Sequence, residues 1–83
     1  MPTLFKIGNV AIRIFFDDTQ KHRHPHFHAV GPDDSMVVSL PDLAVIEGEV
    51  DNKADVLKWA RDNLTDLVTE WNRCNPNLPV RQP

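Results

Sequence analysis

Val10-Ala11-Ile12-Arg13-Ile14-Phe15-Phe16 alternates without a break. Val10, Ile12, Ile14 and Phe16 fall on one face of an extended chain, and Ala11, Arg13 and Phe15 fall on the other, because successive strand side chains point to opposite sides. The stretch predicts a strand with one buried face. Upstream, residues 4–7 form a short mixed run, and Gly8-Asn9 follows as a turn pair in which both residues tolerate positive φ, so a first hairpin is expected. Downstream, Asp17-Asp18-Thr19-Gln20 ends the strand with polar turn formers. Pro25 has no amide hydrogen and suits a strand's first residue or an edge, so the next strand begins near His26 and stops at Gly31-Pro32-Asp33-Asp34. Residues 36–40, closed by Pro41-Asp42, and residues 43–46, ending near Gly48, read as two more strands. Loops this short cannot make parallel crossovers, so the first half is an antiparallel meander of four to five short strands.

After Asn52 the period changes. Leu57, Ala60, Leu64, Leu67, Val68 and Trp71 lie within an arc of roughly 100° when each residue advances the helix by about 100°. One long C-terminal helix follows, with Asp51 or Asn52 capping its first amides, Asp55 in its first turn, Arg73 in its last, and Asn75-Pro76 as its stop. A sheet and a helix, each with one apolar face, can hide those faces only against each other in so short a chain, which predicts an α+β fold. Residues 1–75 form the single domain, and residues 76–83, rich in proline, are expected to be an extended or disordered tail.

With 83 residues, only a shallow site is expected. The formal charge of -3 argues against a protein that coats nucleic acid. No apolar run approaches the roughly 18 residues of a membrane span, the N-terminal residues lack the pattern of a secretory signal, and a single cysteine, Cys74, suits a reducing compartment. A cytoplasmic location with no membrane partner is the expectation.

Chemistry concentrates in Lys21-His22-Arg23-His24-Pro25-His26-Phe27-His28, which holds all four histidines. In a strand His24, His26 and His28 share one side and Phe27 turns to the other, toward the helix; the alpha carbons of His26 and His28 stand about 7 Å apart, at roughly 3.3 Å of rise per residue. Three readings follow. As a metal site, His26 and His28 would need a third ligand, with His24, His22, Asp17 and Asp18 as candidates and zinc or nickel as the ion. As a catalytic site, His26 and His28 would exchange protons while Arg13 holds a phosphate, the arrangement that metal-independent RNA cleavage requires. As a binding face, the same three residues would contact a partner protein or an anion, with no cofactor. The bland alternative for Arg13 is a surface ion pair with Asp17 or Asp18. Trp59 lies outside the apolar arc beside Asp62, Asp66 and Glu70, where it could anchor a partner. Cys74 has no motif around it and reads as a packing residue at the helix end.

The Met1-Pro2-Thr3 start, Gly8, the Ile12-Arg13-Ile14-Phe15-Phe16 strand, Asp17-Asp18, Pro25-His26-Phe27-His28, Glu47-Gly48, Trp59 and Trp71 together resemble a small bacterial family, domain-of-unknown-function family 4160. Members usually read Pro-Pro-His-Phe-His, whereas His24 stands here in place of the first proline, so the resemblance carries over only His26 and His28. Members often place a histidine four residues beyond the first tryptophan; here that position is Asn63. The resemblance implies one component of a toxin-antitoxin-like two-gene cassette, so the expected function is an interaction module that binds a protein encoded nearby. A ribonuclease-like toxin acting on RNA and a transition-metal-binding protein are the alternatives.

Overall fold

The computed structural model describes residues 3–15 and 24–80, with side chains from Phe5 onward. Among these residues five strands, β1 (Thr3–Ile7), β2 (Val10–Arg13), β3 (His26–Val30), β4 (Ser35–Ser39) and β5 (Val45–Gly48), form one sheet in sequence order, every neighbouring pair antiparallel. The α+β meander expected from the alternation is present. Ile7 pairs with Val10 across Gly8-Asn9. Gly8 has φ of +60° while Asn9 stays at negative φ, so the first turn position alone needs the left-handed region, as in a type II′ turn.

Ile12 pairs with Ala29, Ala29 with Met36, and Phe27 with Val38, so these side chains share one face of the sheet, and all are buried. Val56, Ala60, Leu67, Val68 and Trp71 cover that face from the helical side. Phe27, at 0 % exposure, does point into the core as alternation requires.

The helical half differs from a single long helix. It comprises α1 (Lys53–Asp62) and α2 (Leu64–Cys74), divided at Asn63. The Asn63 carboxamide donates to the carbonyl of Trp59 at 2.9 Å, and its backbone N–H is shared between the carbonyls of Trp59 and Ala60. Asparagine side chains compete with the helical ladder in this way, and the backbone leaves helical geometry at φ of -122°. Neither Asp51 nor Asn52 supplies the expected side-chain cap. Asn52 instead donates to the carbonyl of Ile7 at 3.0 Å, tying the start of α1 to the first hairpin.

The segment after α2 is also corrected. It is packed through Val80 rather than being a loose tail: Trp71 Nε1 donates to the carbonyl of Leu78 at 2.7 Å, the Val80 N–H donates to Asn72 Oδ1 at 2.7 Å, and Val80 is buried in the core cluster. Two leucine- and valine-sized contacts and a buried indole N–H outweigh the proline content. Residues 81–83 lie outside the described range. No helix among the described residues is long and apolar enough to cross a membrane.

Gly48 has φ of +75° and sits where a Cβ would lie 2.1 Å from the carbonyl oxygen of Ser35, whereas at Gly8 the nearest atom is an Asn52 side-chain nitrogen at an ordinary 3.6 Å. Gly8→Ala is therefore expected to cost about 1 kcal/mol of left-handed backbone strain, and Gly48→Ala about 3 kcal/mol or more, because backbone must also move. Urea unfolding of the two variants checks the ordering.

Candidate functional site

The pairing of β2 with β3 sets Arg13 directly opposite His28, so the guanidinium and that imidazole share the sheet face away from the helices. Lys6 pairs with Ala11 and joins the same face. It is a contributor the histidine-centred reading did not include, although a two-residue turn at Gly8-Asn9 already implies it: pairing Ile7 with Val10 puts Lys6 level with Ala11, two residues from Arg13. Lys6 and Arg13, with Gly8, Asn9, Val30 and Gly31, line a shallow depression of about 460 Å³.

Arg13 is partly buried, and its Nε is fully buried without a hydrogen-bond partner among the described residues. Such an atom is uncommon, because an unsatisfied buried donor costs about 1–3 kcal/mol and more when charged. Asp17 and Asp18, the acidic residues the sequence offered as its partners, lie outside the described residues.

The two histidines of β3 have different surroundings. His28 is partly exposed and meets the ring of Phe15 edge-on, with centroids 4.7 Å apart. His26 is 0 % exposed, with its ring 5.1 Å from that of His28 and 5.0 Å from the indole of Trp71. The imidazoles therefore approach one another, but the expected pair standing together on an open sheet face is corrected: only His28 reaches solvent. The reason lies in the register. The paired residues of β2 reach only as far as Arg13 opposite His28, so His26 has Ser39 of β4 as its strand partner and no β2 residue opposite it. The end of α2 fills that place with Trp71, and Asn75, itself buried, donates to the carbonyl of Phe15 at 3.0 Å and holds the helix end there. His26 Nδ1 donates to the carbonyl of His24 at 2.8 Å, which puts the proton on Nδ1.

His24 is exposed, and its carbonyl rather than its ring engages His26. Among the described residues no three His, Cys, Asp or Glu side chains are gathered as a metal site would need, so the set His24, His26 and His28 does not assemble; His22, Asp17 and Asp18 fall outside those residues. Proton exchange by both His26 and His28 would require both rings to touch substrate, and the burial of His26 opposes that geometry.

A family model described as Domain of unknown function (DUF4160) matches residues 10–72, well over half of the chain. The chain belongs to this family. The DUF4160 match contains Arg13, His26, His28, Trp59 and Trp71, while Phe5, Lys6 and the packed segment that ends at Val80 lie outside it. Comparison with curated proteins and with solved structures found no match.

Cys74, at the end of α2, is buried, with its thiol 3.6 Å from Glu70 Oε1. Burial pushes the thiol above its ordinary ionisation range, the Arg73 guanidinium pulls it back, and the Glu70 carboxylate pushes it up again by charge and hydrogen bond.

Two outcomes are expected. His26→Ala should lose about 3 kcal/mol in chemical unfolding through a cavity beside Trp71, while His28→Ala should lose less than about 1 kcal/mol. For Cys74, the unfolded thiol ionises before the folded one, so the unfolded state binds fewer protons in alkali and stability should fall as pH rises above roughly 8.5. Unfolding curves across that range should show a shallower decline in Cys74→Ala than in the parent.

Proposed function

We propose that the protein is an interaction module that captures an acidic side chain of a partner protein on the outer face of its sheet, with Arg13 as the anchor and His28 and Lys6 beside it. The carrying observation is Arg13 itself, partly exposed in the depression it lines with Lys6 and set opposite His28, with an Nε that has no acceptor among the described residues. A carboxylate that enters the depression can be taken by the planar guanidinium fork of the partly exposed Arg13 with two parallel bonds. The setting suits docking better than turnover: the depression is shallow, and one of the two imidazoles that proton exchange would use is sealed against Trp71. The rigid strands beneath, with Arg13 opposite His28, hold the donors in place without a flexible loop. On this reading the partner is the product of an adjacent gene in a toxin-antitoxin-like pair, and the module is the component that binds rather than the one that cleaves.

Co-expression with the product of the neighbouring gene should give a complex that survives size-exclusion chromatography. Arg13→Gln should weaken that complex by roughly 30-fold or more, as expected when one member of a desolvated charge pair is removed at about 2 kcal/mol or above, with the thermal unfolding of the free protein retained. An unchanged affinity in Arg13→Gln, or no complex with the parent protein, would refute the reading.

A further inference from the structure

A second surface lies on the other side of the sheet, where the outermost strand meets the helices. Phe5 of β1 is 47 % exposed, although its ring stacks on Trp59 of α1 with centroids 5.1 Å apart and planes inclined by 11°. The pair forms one wall of a groove of about 420 Å³ completed by Asn63, Asp66, Leu67 and Glu70. The break at Asn63 lies within this groove, with Trp59 of α1 on one side of it and Asp66 and Glu70 of α2 on the other.

We infer that this groove docks an extended segment of a partner protein carrying a lysine or arginine between apolar residues. Three features select that occupant. The stacked rings offer apolar area and the kind of aromatic surface that attracts cations. The rim is acidic: Glu70 is shared with Arg73 through an Arg73 Nε bond of 2.6 Å, while no cation is paired with Asp66 among the described residues. An arriving ammonium or guanidinium therefore finds a carboxylate ready to receive it. Finally, among the described residues β1 is an edge strand with β2 as its neighbour, and an extended peptide laid along such an edge points alternate side chains to one face, here the face of Phe5. The surface is independent of Arg13, which lies on the opposite face of the sheet.

The test uses the intact protein and two synthetic octapeptides, one alternating lysine with valine and one alternating glutamate with valine, followed through the indole N–H resonance of Trp59 in nitrogen-edited NMR spectra. The lysine peptide should shift that resonance saturably and leave that of the buried Trp71 in place. Phe5→Ala should weaken binding roughly tenfold or more, and Asp66→Asn roughly two- to fivefold, the scale of an exposed charge pair. Phe5 is half exposed, so its variant should keep the parent's thermal unfolding, and Arg13→Gln should bind the lysine peptide as the parent does. Equal binding of the glutamate peptide, no response to the lysine peptide, or unchanged affinity in Phe5→Ala would overturn the inference. So would a Trp59 resonance that moves with protein concentration alone while sedimentation shows a dimer, because a second copy of the chain would then fill the groove.

Discussion

Trp71 is where sheet, helix and C-terminal segment are joined. Its indole is wholly buried, packs its ring against that of His26 and donates its N–H to the carbonyl of Leu78. A buried indole N–H must find an acceptor, and the acceptor here is backbone from beyond the helix. That requirement draws the proline-rich segment over the end of α2, after which Leu78 and Val80 can pack on the core. The same indole occupies the space beside His26 that β2 leaves. A histidine that alternation assigns to the outer face is thereby sealed from solvent.

The consequence is a division of labour between chemically identical side chains. His26 acts as structure, its Nδ1 proton committed to the carbonyl of His24 and its ring held between His28 and Trp71. His28, two residues on, keeps partial exposure and faces Arg13 across the ladder. The outer sheet face is basic, with Lys6, Arg13 and His28 on it, and the Arg13 Nε has no acceptor among the described residues. The helical face carries the opposite character, with an aromatic pair and carboxylates around the break at Asn63.

Asparagine placement controls the helical half in the same local way. Asn52, Asn63 and Asn75 stand at the start, the break and the end, and each spends its carboxamide on a carbonyl: Ile7, Trp59 and Phe15 respectively. Two of these bonds reach back to the first hairpin and to Phe15 just beyond β2, so the helices are positioned by hydrogen bonds to the margins of the sheet as well as by the apolar stripe. The buried Asn75 is satisfied by that connection, which is why a polar side chain can close the core at this corner.

Alternation in residues 10–16, the turn chemistry of Gly8-Asn9 and Gly31-Pro32-Asp33-Asp34, and the helical stripe after Asn52 were sufficient to determine the α+β class, the antiparallel order of strands and the inward direction of Phe27. These features depend on neighbours in the chain, and local periodicity records them. The opposition of Arg13 and His28 was conditional on the pairing of their strands, and the register supplied it. Burial of His26, division of the helix at Asn63 and docking of Leu78 and Val80 were decided only in three dimensions. Each depends on Trp71 or an asparagine carboxamide meeting backbone that is distant in sequence or competes within the same turn, and periodicity carries no record of where a hydrogen bond will find its acceptor.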